Sequence, residues 1–168
     1  MVIPNQCPVK YKLSYGICSI FLASEPLSGK RLVKVTPRRT KKDWAFFLKD
    51  IAALYPSIKK IILVLDNLNT HTPSSLYETF APKDAKELWD HFEFVYTPKH
   101  GSWLNMAEIE LNVLLNYLNR RIDSIEEVQR EVTAWQKYRN NKNAKINWQF
   151  TTEDAKIKLL RLYPTFEA

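Results

Sequence analysis

The stretch Ile61-Ile62-Leu63-Val64-Leu65-Asp66-Asn67 decides the fold of this chain, because five consecutive apolar residues stop at an acid. An unbroken apolar run of this length is typical of a strand that is buried on both faces, as in a sheet covered by helices. A carboxylate directly after such a strand lies at the sheet edge where ligands of open α/β folds bind. Asp66 is therefore a candidate site residue, and the alternative is a turn residue that bonds nearby backbone amides.

The residues around this run alternate between strand and helix patterns, which favours an α/β sandwich with a mixed sheet. Two short apolar stretches joined by the turn Glu25-Pro26-Leu27-Ser28-Gly29 predict a hairpin. Thr40 and Asp43 form the pattern of a capping box at the start of a helix. The predicted strands cover residues 17–24, 31–36, 61–65 and 92–96. The predicted helices cover residues 40–54, 105–121 and 124–139, with others beginning at Thr72 and near Thr152.

The composition is that of a globular protein with a basic surface. A chain of 168 residues can form one domain with a core, and no apolar run approaches the length of a membrane span. The N-terminal residues lack the pattern of a secretory signal, and Cys7 and Cys18 are predicted to be free thiols in a reducing cytoplasm. The net charge of +7 favours a polyanionic partner.

A second informative stretch, Lys99-His100-Gly101-Ser102-Trp103-Leu104-Asn105-Met106-Ala107-Glu108, ends in another acid. Glu108 stands three residues after Asn105, so one interpretation is a capping box at the start of a helix. The other is a site residue, because Glu108 shares a helical face with Leu111 and Leu115 that we expect to turn toward the sheet. Glu110 lies about 200° further round the helix and is expected to face elsewhere.

Basic and aromatic side chains near these acids are candidates for contact with DNA. One group follows the second predicted strand, and its alternative is a solvated charged surface. Another flanks the two acids, where Trp103 could instead pack beneath the helix start. The candidate DNA-contacting residues are Arg38, Arg39, Lys41, Lys42, His71, Lys99, His100, Ser102 and Trp103, with Lys34 beside the first group.

Two motifs together resemble those of the DDE transposases of the mariner-like superfamily. The first is Val64-Leu65-Asp66-Asn67-Leu68-Asn69-Thr70-His71, and the second is Tyr96-Thr97-Pro98 followed by the stretch from Lys99 to Glu108. The similarity is strongest to the bacterial insertion-sequence branch, and it extends from about Tyr15 to Pro164. It implies a ribonuclease-H-like fold, in which helices flank a mixed five-stranded sheet. It also implies that Asp66 and Glu108 are catalytic residues, which hold two Mg²⁺ (or Mn²⁺) ions together with a third carboxylate.

The same resemblance implies that one catalytic aspartate lies on a first strand ahead of the hairpin. Residues 1–14 contain no acid, and the acids that precede Asp66 are Glu25, Asp43 and Asp50, at other positions. We therefore expect an irregular N-terminal segment at 1–14 and an N-terminally truncated catalytic domain at 15–168 that lacks its first strand. The C-terminal helices of this domain are expected from about residue 124.

The resemblance leaves three hypotheses for function. The first is a transposase fragment for metal-dependent DNA cleavage and strand transfer, incomplete alone, acting on transposon ends and target DNA in the bacterial cytoplasm near the nucleoid. It would be completed by another transposase chain or an upstream-encoded half, so the enzymatic activity of the chain by itself stays open. The second is a non-catalytic fragment that binds DNA or transposase and regulates transposition. The third is a decayed reading frame.

Overall fold

The computed structural model of the chain describes residues 2–6, 9–13, 16–66, 72–97 and 106–158. Six strands and six helices occur in these residues. The strands are β1 (Val2–Gln6), β2 (Val9–Leu13), β3 (Gly16–Glu25), β4 (Lys30–Thr36), β5 (Ile61–Leu65) and β6 (Phe92–Tyr96). The helices are α1 (Lys41–Ala53), α2 (Pro73–Tyr77), α3 (Pro82–Asp90), α4 (Met106–Tyr117), α5 (Ile125–Asn141) and α6 (Thr152–Lys158). None of these helices is both long and apolar enough to cross a membrane.

The strands combine parallel and antiparallel pairing, as the sequence predicted. β5 lies between β1 and β6 and is parallel to both, with Leu63 opposite Ile3 on one side and Phe94 on the other. β3 lies between β2 and β4 and is antiparallel to both. β1 also contacts β3, so the parallel and antiparallel parts meet where these two strands lie side by side.

The N-terminal residues correct one expectation. Residues 1–14 were expected to be irregular and the domain to lack a first strand, but β1 and β2 precede the hairpin and β1 is the neighbour of β5. Strand pairing uses backbone N–H and C=O groups, so a segment with few apolar side chains can still fill this place. The register shifts between Pro4 and Gln6, next to a residue that has no N–H to donate.

A hydrophobic core lies on each face of the sheet because side chains of a strand alternate between the faces. Phe21 of β3 packs with α1 on one face, whereas Ile20 and Leu22 pack with α4 and α5 on the other. Burial alternates along β5, since Ile61, Leu63 and Leu65 are buried whereas Ile62 and Val64 are half-buried. The prediction that β5 is buried on both faces is therefore correct for one face, whereas the other face is only half-buried.

The ends of most elements follow their local sequence signals. The capping box of Thr40 and Asp43 is present, Thr72 precedes Pro73 at the start of α2, and Ser124 caps α5. The helices differ from the prediction in two ways. Helix α3 was not predicted, and α4 ends at Tyr117 rather than near residue 121.

Helix α5 covers the free edge of β4 with amide side chains. Gln129 and Gln136 accept hydrogen bonds from the backbone N–H groups of Val35 and Val33. Asn140 completes the row by accepting from the N–H of Arg31 and donating to its carbonyl. An open strand edge is a template for pairing with another chain, and these contacts close it.

Candidate active site

Asp66 follows β5 directly and is half-buried at the carboxyl end of that strand. The carbonyl of Leu65 accepts a hydrogen bond of 2.9 Å from the N–H of Thr97, which directly follows β6. Because β5 and β6 are parallel, the segments that leave them start side by side at one edge of the sheet. One of these segments carries Asp66, and the other leads to α4.

Glu108 is the third residue of α4 and is half-buried. The helix packs on the sheet through Ala107, Leu111 and Leu114, and it contacts β1, the strand next to β5, as well as β3. Glu108 therefore stands at the start of a helix that lies against the neighbour of the strand ending at Asp66. Asn105, its expected capping partner, lies outside the described residues.

The first basic group divides into paired and unpaired side chains. Lys34 pairs with Asp50, and Lys41 pairs with Glu78. Arg38, Arg39 and Lys42 are exposed, and the ion pairs between residues that the structure describes do not include them. These three, here called the basic turn, are the cations of the group that are available to an anionic partner.

Lys41 shows where the basic turn lies relative to Asp66. Its ammonium is 2.5 Å from a carboxylate oxygen of Glu78 and 3.5 Å from the hydroxyl of Ser74. Ser74 belongs to α2, the first helix after Asp66, and Glu78 is its C-cap. The start of α1 is thus held beside the helix that follows the candidate carboxylate.

The remaining candidates, His71, Lys99, His100, Ser102 and Trp103, lie outside the described residues and stay predictions.

Sequence reasoning missed a buried cluster of charges, here called the Glu110 clamp, formed by Arg31, Glu110 and Arg139. Glu110 faces away from Glu108, as expected, but it is only 1% exposed. One of its oxygens lies 2.9 Å from Nε of Arg31, and the other lies 2.6 Å from Nη2 of Arg139. Both guanidinium groups also lie over the ring of Trp135. Burial lowers the pKa of the Arg31 guanidinium, and the Glu110 carboxylate opposes that shift.

No signal in the sequence alone identifies this cluster. Helical spacing separates Glu110 from Glu108, but it does not show that Arg31 of β4 and Arg139 of α5 meet on that side of α4. A charged residue is rarely this buried unless it is paired, which the structure explains through two arginines.

The donor chemistry at the strand ends fits a hard divalent cation. Asp66 and Glu108 are carboxylates, and Mg²⁺ prefers oxygen ligands and commonly uses one or two carboxylates together with water and phosphate oxygens. Within the described residues, no three His, Cys, Asp or Glu side chains come together as a metal site. Asp66 and Glu108 therefore fit the cation in the type of donor atom that each offers.

Comparisons with known proteins bear on the family and the fold. The family model described as DDE superfamily endonuclease matches residues 6–129, a range that contains Asp66 and Glu108. A search of curated proteins by sequence found no match.

Two solved structures are similar to the chain at low sequence identity. The HTLV-2 integrase catalytic core domain in complex with magnesium is 13% identical, with a TM-score of 0.47 over 84% of this chain and 81% of that chain. A chain of the simian T-cell lymphotropic virus intasome in complex with PP2A regulatory subunit B56 gamma is 11% identical, with a TM-score of 0.55. The similarity covers 99% of this chain and 57% of the intasome chain, and it confirms the predicted ribonuclease-H-like fold.

Proposed function

The chain belongs to the DDE superfamily of endonucleases, and from this premise we propose that it is a transposase domain for DNA strand cleavage and strand transfer. The observation that carries the proposal is the position of Asp66 at the carboxyl end of β5, inside the matched range. Ligands of open α/β sheets bind at this edge. The motifs around the two acids favour the mariner-like superfamily and its bacterial insertion-sequence branch, and hence action near the bacterial nucleoid.

In this proposal Asp66 and Glu108 hold Mg²⁺ or Mn²⁺ at the strand ends. When bound there, the ions would supply charge stabilisation for an in-line displacement at phosphorus. The hydrogen-bonded ends of β5 and β6 fix the backbone position from which the Asp66 side chain extends. Glu108 is held by the packing of α4 on β1 and β3. Because both acids are half-buried, fewer bulk water molecules can compete with their carboxylates for the metal ions.

The basic turn is proposed to bind the phosphate backbone of DNA. Arg38, Arg39 and Lys42 are exposed, and Lys41 ties their segment to the helix after Asp66. Phosphate contacts of this kind position a duplex without reading its sequence. His71, Lys99, His100, Ser102 and Trp103 are proposed to contact the DNA nearer the reacting phosphate.

A third carboxylate is proposed to come from another polypeptide. β1, the strand next to β5, has the sequence Val-Ile-Pro-Asn-Gln and supplies no acid. The candidates are a second transposase chain or an upstream-encoded half. We expect the chain alone to bind DNA weakly and to cleave it inefficiently.

The direct test is a Mg²⁺-dependent nicking assay on terminal-repeat DNA. The chain alone is expected to show little cleavage, and a partner chain that carries the missing aspartate is expected to restore it. Asp66→Asn and Glu108→Gln should abolish the restored cleavage. The matched controls Asp84→Asn and Glu126→Gln, which alter exposed acids in the first turns of α3 and α5, should retain it. Robust cleavage by the chain alone, lost in Asp66→Asn, would refute the need for a third carboxylate from elsewhere.

The DNA surface is tested by salt-dependent binding. Replacing the three residues of the basic turn by alanine should weaken binding and reduce the slope of log affinity against log salt by up to about 3. The control replaces Lys30, Lys59 and Lys60, which lie at the opposite ends of β4 and β5 from the basic turn and Asp66. Equal effects of the two triple variants would show that only net charge matters.

A second candidate function is regulation without chemistry. It is favoured by the absence of a third carboxylate at Asp66 and Glu108 among the described residues, together with the exposed basic turn. Such a fragment would occupy transposon ends or pair with an intact transposase and reduce transposition. Co-expression with an intact relative should then lower transposition, and Asp66→Asn should not change that effect.

A further inference from the structure

The Glu110 clamp connects three separate elements to one carboxylate. Arg31 belongs to β4, Glu110 to α4 and Arg139 to α5, and each oxygen of Glu110 is engaged by a different arginine. The two contacts approach the carboxylate from different elements, so they restrict both its position and its direction. The contact from Arg139 is a charge-assisted hydrogen bond, which is the stronger kind, and the contact from Arg31 is a close buried ion pair.

Arg31 is itself fixed by the backbone around it. Its Nη1 donates to the carbonyl of Gly29 at 2.8 Å, and its Nη2 donates to the carbonyl of Ala144 at 2.6 Å. Gly29 has a φ of 71°, and a Cβ there would lie 2.6 Å from the carbonyl carbon of Asn143. The hairpin turn and the segment after α5 are therefore in close contact, and Arg31 is anchored between them.

Three apolar side chains of α4 also pack against the sheet. Ala107, Leu111 and Leu114 bury the helix against β3, and such packing is not directional. Polar contacts with fixed geometry are what define the rotation of a helix about its axis. Glu110 supplies them two residues away from Glu108.

We propose that Glu110 is a positioning residue for Glu108, which rests on the metal-binding role proposed above for Asp66 and Glu108. By fixing the rotation of α4, the Glu110 clamp sets the direction in which the Glu108 carboxylate leaves the helix. A side chain ends about 5–6 Å from the helix axis, so a rotation of about 20° moves it by about 2 Å. Site geometry has to be held within about 0.5 Å.

The experiment measures binding of Mn²⁺ to the full chain by the electron paramagnetic resonance signal of the free ion. Asp66→Asn and Glu108→Gln should each weaken Mn²⁺ binding. Glu110→Gln, which keeps the size of the side chain and removes its charge, should weaken it by about tenfold or more, as loss of a supporting residue does at other metal sites. Glu126→Gln, at an exposed acid of α5, should leave it unchanged.

A double variant separates positioning from a general loss of structure. If Glu110 acts through Glu108, then Glu108→Gln together with Glu110→Gln should bind Mn²⁺ no more weakly than Glu108→Gln alone. Additive losses would overturn the proposal. Circular dichroism and the melting temperature establish that each variant is folded.

Arg139→Gln keeps the test valid if Glu110→Gln does not fold. The Arg139 side chain is 23% exposed, and its loss leaves Glu110 paired with Arg31. It should weaken Mn²⁺ binding in the same direction and show the same dependence on Glu108. If a folded variant of the Glu110 clamp binds Mn²⁺ with unchanged affinity, the positioning role of Glu110 is refuted. The metal-binding role of Asp66 and Glu108 is retained in that case if their own variants bind Mn²⁺ more weakly. Unchanged affinity in Asp66→Asn and Glu108→Gln overturns both proposals.

Discussion

Replacing Asn140 by alanine should destabilise the protein, because this side chain closes the free edge of β4. Asn140 accepts a hydrogen bond of 2.9 Å from the backbone N–H of Arg31 and donates one of 2.9 Å to its carbonyl. This reciprocal pair imitates the pairing that a neighbouring strand would provide. Asn140→Ala removes both partners and leaves two partly buried backbone groups of one residue unsatisfied.

The expected cost follows from those two groups. Leaving a buried donor or acceptor without a partner costs about 1–3 kcal/mol, and because both groups are only partly buried, the variant should lose about 2–4 kcal/mol, in the lower part of the range for two groups. For a domain of this size that corresponds to a fall of about 4–16 °C in melting temperature. Urea denaturation followed by circular dichroism gives the free energy, and an unchanged slope against urea shows that the folded state is equally compact.

The neighbouring residue provides a matched control. Asn141 is exposed in the same last turn of α5, so Asn141→Ala changes helix propensity equally without touching β4. Asn140→Asp keeps the acceptor and loses the donor, and it should cost less than Asn140→Ala. Equal stability of Asn140→Ala and Asn141→Ala would refute the idea that Asn140 closes the strand edge.

Three further predictions concern buried ionisable groups. Glu110→Leu alone should cost about 3–5 kcal/mol because Arg31 stays buried without its carboxylate. Arg31→Met, Glu110→Leu and Arg139→Leu together should recover most of that loss in urea denaturation. Cys18 is fully buried, and burial raises the pKa of its thiol, so a Cys7→Ser chain should react with a disulfide reagent only after unfolding. Burial and the Glu25 carboxylate raise the pKa of Tyr55 in the folded state, so stability should fall as pH rises above about 10, where the unfolded phenol ionises. Tyr55→Phe should flatten this fall in denaturation curves measured across alkaline pH.

Much of the site could be predicted because its residues follow local rules. A short apolar run that stops at Asp66 predicts a buried strand with a carboxylate at its end, and both are present. The capping box at Thr40 predicts the start of α1, which places the basic turn. The metal ligation of Asp66 and Glu108 stays a proposal, and the candidates between residues 67 and 71 and between 98 and 105 stay predictions.

Strand β1 could not be predicted from its side-chain pattern, whereas β2 has the alternating sequence Val-Lys-Tyr-Lys-Leu, a signal that the prediction of an irregular segment did not use. Residues 2–6 include a proline and lack alternating polar and apolar side chains, yet they pair with β5 through the backbone. A vacant place beside β5 is a property of the assembled sheet. The sequence of one segment does not reveal it.

The amino-acid sequence by itself determined the order of the elements from β3 onward except α3, the position of Asp66 after β5 and the start of α4 near Glu108. These features depend on periodicity and on caps within a few residues, which are local. Only the tertiary structure decided that Glu110 would be buried between Arg31 and Arg139, and that α5 would close the edge of β4. The physical reason is that a charged or amide side chain can be buried only where distant partners satisfy it, and folding alone brings those partners together.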